Sequence, residues 1–419
     1  MASRILKTMR RTGGKHTVAP RLPMRAEAAR PSQLRESNCR LLLNLLRGNS
    51  PCSKADLVRK SGLSATTVSV SIAHMTRLGL IEDLGDGESS GGRPPSLLRF
   101  NSSHGLVAGA DVGGTRLRMM LADLNGTPVA HWATHLNERQ KTPRTIVSLM
   151  QTGIREMMQQ TDVSARVLHL TVGAPGITDV DHGVVLAAPN LQGWTEFPMR
   201  ALVEREMKIS CTVENDVNLA ALGEQYRGEA QGVDDFIFIA LGTGVGAGIF
   251  LRGALHHGAD WTAGEIGYLP VYGMPREPVR LEETGQLERA IGGAGVEAMW
   301  QKALRRERRA AKADLMRLHA PEVFDLADEG HTLALEVTTE TARILADAIG
   351  TLSLLYNPQL VVLGGGVGAH RTLCSATEAF LRENEFAQPK LRASSLGPEA
   401  QLFGAVSLSL SAAEAGLLC

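Results

Sequence analysis

Residues 108–118 read AGADVGGTRLR: an apolar run stops at Asp111, turns through Gly113 and Gly114, and resumes after Thr115. Continued through MMLADLNGTPVAHW, the pattern predicts three strands joined by tight turns at 112–115 and at Asn125-Gly126. Without side chains, a glycine turn lets backbone N–H groups come close to an anion such as phosphate. Alone this turn is a weak signal, because any hairpin can need two glycines. It does not stand alone. Residues 235–251, DFIFIALGTGVGAGIFL, repeat the design, with a strand broken by Gly242, Thr243, Gly244 and Gly246. Two such turns facing each other across a cleft would hold a nucleotide's phosphates. Between them CTVENDVNLAALGEQY (211–226) reads as a strand ending in Glu214-Asn215-Asp216 and running into a helix. A carboxylate there is placed to take a proton from an attacking hydroxyl, with an amide neighbour to orient it. The competing reading of the same residues is a helix N-cap.

The chain has 419 residues, 43% hydrophobic, with few aromatics and 44 glycines, which indicates two or three domains of mixed α/β character. No apolar run reaches the ~18 residues of a membrane span, so a soluble protein with no membrane partner is expected. Five cysteines (Cys39, Cys52, Cys211, Cys374, Cys419) are scattered without a CxxC pair, which argues against a disulfide framework or metal knuckle and for a cytoplasmic location. The net charge of zero hides a split. Residues 1–100 hold 17 Lys and Arg against 7 Asp and Glu, and the remainder hold 27 against 37. A basic head on an acidic body implies a polyanionic partner for the head alone.

Residues 1–33, Arg-rich and interrupted by prolines, are expected to form a disordered basic arm. From Leu34 a helical stripe of Leu41, Leu42, Leu45 and Leu46 runs to Gly48 and Asn49. Ser53 is positioned to cap a second helix that stops at Gly62, and Ser64 a third, with Val68, Ile72 and Met75 inside and Thr66, Thr67, Ser69 and Ser71 outside. Two short helices with a Gly-containing turn, the second with a small polar outer face, form a helix-turn-helix pattern suited to the major groove. Ser64, Thr66, Thr67 and Ser69 are therefore candidate DNA contacts. Residues 80–101 read as a hairpin wing, and Arg93, held by Gly91, Gly92 and two prolines, is a candidate for a narrow minor groove.

Taken in order, the winged helix ending in GGRPP, DVGGT (111–115), VGAPGITD (172–179), APNLQGW (188–194), VENDVN (213–218), LGTGVGAG (241–248), AGEIGY (263–268) and NPQLVVLGGGV (357–367) resemble the ROK family of repressors and sugar kinases. The resemblance covers about Leu34 to Ala413. It implies an α/β fold: a winged helix-turn-helix (34–101) on a two-lobed actin/Hsp70/sugar-kinase-like, ribonuclease H-like body (104–413). It further implies that Asp111, Gly113, Gly114 and Thr115 meet ATP phosphate and Mg²⁺, that Gly242, Thr243 and Gly244 close over the phosphates, and that Gly364, Gly365 and Gly366 flank the adenosine. Asp216 matches the family's catalytic base. Asn190, Asn215, Asp216, Glu265, Tyr268 and Glu288 match the positions of its sugar ligands.

One segment departs from the family pattern. Where the family writes GEIGH followed by a zinc-binding CxCGxxGCxE cluster, Tyr268 replaces the histidine and Gln286 stands at the last cysteine. No zinc is expected, and the sugar-presenting loop must be held by packing, with Tyr268, Pro270 and Tyr272 as candidates. The function this implies is a sugar-responsive DNA-binding transcriptional regulator, a repressor of carbohydrate genes acting as a homodimer or homotetramer on operator DNA. It needs no cofactor for DNA binding. The alternative is an ATP- and Mg²⁺-dependent sugar kinase carrying a DNA-binding domain.

Overall fold

Ser53 and Gly62 bracket a helix as their chemistry requires. The Ser53 hydroxyl accepts from the Asp56 N–H at 3.2 Å while the Asp56 carboxylate accepts from the Ser53 N–H, and Gly62 ends the helix at φ +69°. The computed structural model describes residues 31–418 apart from 87–95, 162–164, 189–190, 192, 281–282, 308–313 and 387. The head contains α1 (Pro31–Gly48), β1 (Cys52–Ser53), α2 (Lys54–Ser61), α3 (Ala65–Arg77), β2 (Ile81–Asp86) and β3 (Ser96–Phe100), with sheet order β1-β3-β2. This is a winged helix-turn-helix. Most of the expected arm, and Arg93 at the wing tip, lie outside the described residues.

Three details differ from the sequence reading. Helix α1 opens at Pro31 rather than Leu34, a position proline tolerates because the first helical N–H has no partner. Its buried stripe is Cys39, Leu42, Leu43 and Leu46, while Leu41 is exposed. The run of three leucines offers two stripes, and Cys39 completes only one of them at i, i+3, i+4, i+7 spacing. Ser71 is buried between Val68 and Met75, where its hydroxyl meets the Cys39 thiol.

The body is two copies of one topology. The first lobe has β4 (Leu106–Val112), β5 (Arg116–Asp123), β6 (Pro128–His135), β7 (Val167–Ala174) and β10 (Ser210–Asn215), in sheet order β10-β7-β4-β5-β6. A small hairpin of β8 (Ile177–Asp179) and β9 (Val184–Ala187) stands beside it. The second lobe has β11 (Phe236–Leu241), β12 (Val245–Leu251), β13 (Ala254–Leu255), β14 (Leu360–Gly364) and β15 (Lys390–Ala393), in the order β13-β12-β11-β14-β15. Each lobe thus runs third-second-first-fourth-fifth, with an antiparallel first hairpin and parallel fourth and fifth strands. This is the two-lobed ribonuclease H-like class expected from the sequence. The two glycine turns occupy the same place in each lobe, the tip of the first hairpin.

Helices α4 (Pro143–Gln159) and α5 (Met199–Met207) cover one face of the first sheet. In the second lobe α7 (Gln286–Ile291), α8 (Gly293–Arg306), α9 (Ala320–Asp328) and α10 (Thr332–Tyr356) build the largest core. After β14, α11 (Gly365–Gly368) and α12 (Arg371–Leu381) lead to the last strand. Between the lobes lie α6 (Asp216–Arg227) and α13 (Ala400–Leu418), packed on each other. A Cβ on Gly404 would come within 1.9 Å of the Leu219 carbonyl, so only glycine lets these helices cross this closely.

At one end α13 touches the second sheet through Ala400. Along its length Leu402, Val406, Leu410, Ala413 and Leu418 join Val107 and Met120 of the first sheet and Leu42, Leu46 and Phe100 of the head in one apolar cluster. Contrary to the absence of any span-like run in the sequence reading, Gly397–Leu418 is apolar enough by length and composition to cross a bilayer (mean hydropathy 1.3). Its apolar side chains are instead spent on this three-way core.

Candidate functional site

Both predicted turns and the predicted acid converge on the cleft between the lobes. Asp216 opens α6 at the end of β10, and its Oδ1 accepts from the Val217 N–H (2.9 Å) and the Asn215 side-chain amide (3.1 Å). Asn215 is the helix N-cap, taking the Asn218 N–H on its own Oδ1 at 3.0 Å, and its amide also donates to the Gly176 carbonyl at 3.0 Å. The cap reading of this residue is therefore realised, and the same side-chain amide holds the Asp216 carboxylate. Burial, then the charges of Asp111 and Glu265, push the Asp216 carboxyl up to about 7. Such a group changes protonation at neutral pH.

From the second lobe, Glu265 precedes a single 3₁₀ turn (Ile266–Tyr268), and its carboxyl is raised by burial and by Glu288. The Tyr268 phenol is raised by burial and by both glutamates. Glu288, on α7, accepts from the Val245 N–H at 3.0 Å, immediately after the second glycine turn. A residue expected to hold sugar is thereby tied to the turn expected to hold phosphate. Asp111, buried at the end of β4, is claimed by Arg118, whose Nε and Nη2 reach the same Oδ2 at 3.1 and 2.6 Å. Burial still outweighs this partner and raises the Asp111 carboxyl. Asn190 lies outside the described residues.

The glycines divide into two groups. Gly364 and Gly365 are required by the fold: a Cβ on Gly364 would meet the Phe238 ring at 2.5 Å, and Gly365 has φ +83°. Gly114 and Gly366 have open space where a Cβ would be and no left-handed φ, while Gly242 would only approach the Gly366 N–H at 3.6 Å. Packing does not explain glycine at these three positions, and the backbone there is left open to close approach. Gly113 donates to the Arg116 carbonyl across the first turn, and Thr115 is exposed beside it. Thr243 lies between Gly242 and Gly244, and a Gly244 Cβ would touch Glu288 at 3.0 Å. Gly246, read as part of the turn, belongs to β12, where it faces Val217.

The segment that departs from the family pattern is held by an amide. Gln286, buried at 7% exposure, accepts from the Val271 N–H at 3.2 Å and donates to the Pro275 carbonyl at 2.6 Å. Tyr272 is 75% exposed and Pro270 is exposed, so the loop is not packed down by them, and Val271 is the residue that enters the core. An amide and a phenol at two of the expected ligand positions do not form a tetrahedral zinc set, and no group of three His, Cys, Asp or Glu with metal spacing occurs among the described residues.

Sequence reasoning missed an inter-lobe contact. Glu214, buried one residue before the cap, accepts from the Asn218 amide at 3.0 Å and pairs at 2.8 Å with Nε2 of His257, from the loop after β13. The hydrogen bond to Glu214 raises the His257 imidazole, with the charges of Glu214 and Asp181 acting in the same direction against burial.

In the head, Thr66 and Ser69 are exposed on α3. Ser64 caps the helix by accepting from the Thr67 N–H at 3.1 Å, and its hydroxyl meets that of the half-buried Thr67. Arg47, at the end of α1, joins head to body. It pairs with Glu414 of α13 at 2.6 Å, donates to the Leu124 carbonyl at 2.9 Å, and lies 4.7 Å from the Phe100 ring centre.

Fold and cleft together define a class, a winged-helix head on a two-lobed body of the sugar-kinase type. The chain belongs to the ROK family, whose model matches residues 107–412, and a winged helix-turn-helix DNA-binding model matches residues 40–82. Among curated relatives it is 32% identical to a glucokinase of Halalkalibacterium halodurans over 62% of this chain and 79% of the relative. It is 26% identical to a xylose repressor of Caldicellulosiruptor bescii over 79% of this chain and 83% of the repressor. A solved ROK family transcriptional regulator, described as a homologue of the E. coli MLC protein, shares the fold at TM-score 0.78 and 22% identity, over 92% of this chain and 98% of that one.

Proposed function

We propose that the protein is a transcriptional repressor whose winged helix binds operator DNA and whose inter-lobe cleft binds a sugar effector. The observation that carries this is the continuous apolar core joining α13, the first lobe and the head, pinned by Arg47 on Glu414. Helix α6 begins at Asp216 in the cleft and packs on α13, which touches the head, so closure of the lobes on a sugar has a rigid route to the DNA reader. Acidic and amide groups at Asn215, Asp216, Glu265 and Glu288, with Tyr268, suit a polyhydroxylated ligand. Asn190, in the motif at 188–194, is assigned to the same set. Two heads in a homodimer would meet half-sites about one helical turn apart, ~34 Å or a multiple, and a small rotation would lower operator affinity.

A kinase reading is favoured by one observation, a carboxyl near neutrality at Asp216 beside open glycine turns at Gly114, Gly242 and Gly366. Against it stands Arg118, which already pairs with Asp111 and so competes with a cation accompanying ATP. The test measures binding to the DNA upstream of the protein's own gene, with and without each of a panel of sugars including xylose and glucose, alongside turnover with ATP and Mg²⁺. Sugar-dependent release of DNA without turnover is expected. Turnover abolished by Asp216→Asn, with DNA binding indifferent to every sugar, would replace the repressor by the kinase.

A further inference from the structure

Helix α3 presents an unusual face to its DNA partner. Its buried residues are Val68, Ser71, Ile72 and Met75, and directly opposite, at i, i+4, i+7 and i+11, stand Thr66, Val70, Ala73 and Arg77. Val70 is 58% exposed at the centre of that face. Nothing in the chain covers it among the described residues, and alanine would be the better helix former there. From Ala65 to Ala73 the helix contains no Arg, Lys, Asn, Gln, Asp or Glu. The paired hydrogen bonds by which Arg or Lys reads guanine and Asn or Gln reads adenine are therefore out of reach of its N-terminal two turns. What an apolar side chain can distinguish in the major groove is the C5-methyl group of thymine. The positive charge of the head favours nucleic acid over a protein as the occupant of this face.

Building on the repressor reading, we infer that Val70 sets operator specificity by packing against thymine methyl groups. Arg77, at the far end of the same face, is left to meet phosphate. Thr66 and Ser69 supply short contacts around the valine. The operator core is accordingly built on thymines spaced to meet one helix face in each half-site.

The test starts from duplexes selected out of a random pool by the full chain at fixed salt, because affinity for DNA depends steeply on ionic strength. Thymines of the selected site are then replaced one at a time by deoxyuridine, which removes only the methyl group. Binding is read by fluorescence anisotropy for the wild type and for Val70→Ala, an exposed substitution that leaves the core untouched. The wild type is expected to lose about fourfold in affinity for each contacted methyl, the effect of one buried methyl-sized group. Val70→Ala should bind the thymine duplex about as weakly as the wild type binds the deoxyuridine duplex, and should not respond to the exchange. A wild type indifferent to every exchange, or a Val70→Ala protein as sensitive as the wild type, overturns the inference while leaving the repressor reading intact. Selection of no sequence at all, with equal binding to every duplex, overturns both.

Discussion

Replacing Gln286 by alanine should loosen the loop that carries Tyr268, and the size of the effect follows from two hydrogen bonds. Loss of Oε1 strands the N–H of Val271, a residue only 8% exposed, and a buried donor left without a partner costs about 1–3 kcal/mol. Loss of Nε2 frees the Pro275 carbonyl, which is on the surface and takes water at little cost. The sum is about 2 kcal/mol, or roughly thirtyfold in the local opening equilibrium. Hydrogen–deuterium exchange of peptides covering 266–291 reads that equilibrium directly. The wild-type segment should be unaffected by EDTA, and Gln286→Ala should exchange about thirtyfold faster with the helices of the head unchanged. Gln286→Glu, which keeps the acceptor but points a carboxylate at the Pro275 carbonyl, should fall between the two. If EDTA alone accelerated exchange in the wild type, or Gln286→Ala left the segment as protected as before, the amide would not be what holds the loop.

On the proposed reading an ionised Asp216 accepts hydroxyl hydrogen bonds from the sugar, so affinity should rise by up to tenfold per unit below about 7 and level off above it, with Asp216→Asn flat in the same isothermal titrations. The stability sign is opposite. Because folding raises this carboxyl from 3.8 to about 7, its ionisation costs stability progressively across that window, and the Asn variant should gain in melting temperature relative to wild type from pH 4 to 7 and no further; equal curves would refute the shift. Arg47→Ala, which removes a pair whose side chains are only 21% and 16% exposed, should weaken head–body docking by about 1–2 kcal/mol. Operator affinity should stay within a few fold while release by sugar is blunted, and an unchanged sugar response would mean that coupling takes another path. Gly114→Ala and Gly366→Ala should leave the melting temperature unchanged while reducing any nucleotide binding measured with a fluorescent ATP analogue; a fall in stability would show that the fold requires these glycines after all.

What was readable in the sequence was whatever depends on neighbours a few residues away. Alternation around Asp111 and around Gly242 gave both hairpins, and serine and glycine gave the ends of α2 and α3 in the head. Relations between distant segments were not readable. Arg118 reaches Asp111 because they are direct partners across a four-residue turn, which requires the register and not only the strands. His257 and Glu214 belong to different lobes, and although Glu214 ends a conspicuous strand, nothing local marks His257 as its partner. Gln286 was conspicuous as a missing cysteine, yet its role became visible only with both backbone groups of the loop in place. On the outward face of α3 the polar residues are the more conspicuous in sequence, although the exposed apolar Val70 carries more information.

The crossing of α13 over α6 also bears on the order of assembly during synthesis. Residues 400–418 leave the ribosome after the strands, the cleft and the winged helix against which they pack. Until they do, the apolar cluster shared by the head and the first sheet lacks the helix that completes it, and a nascent chain stalled in the second lobe would display a DNA-reading module without its α13 contacts.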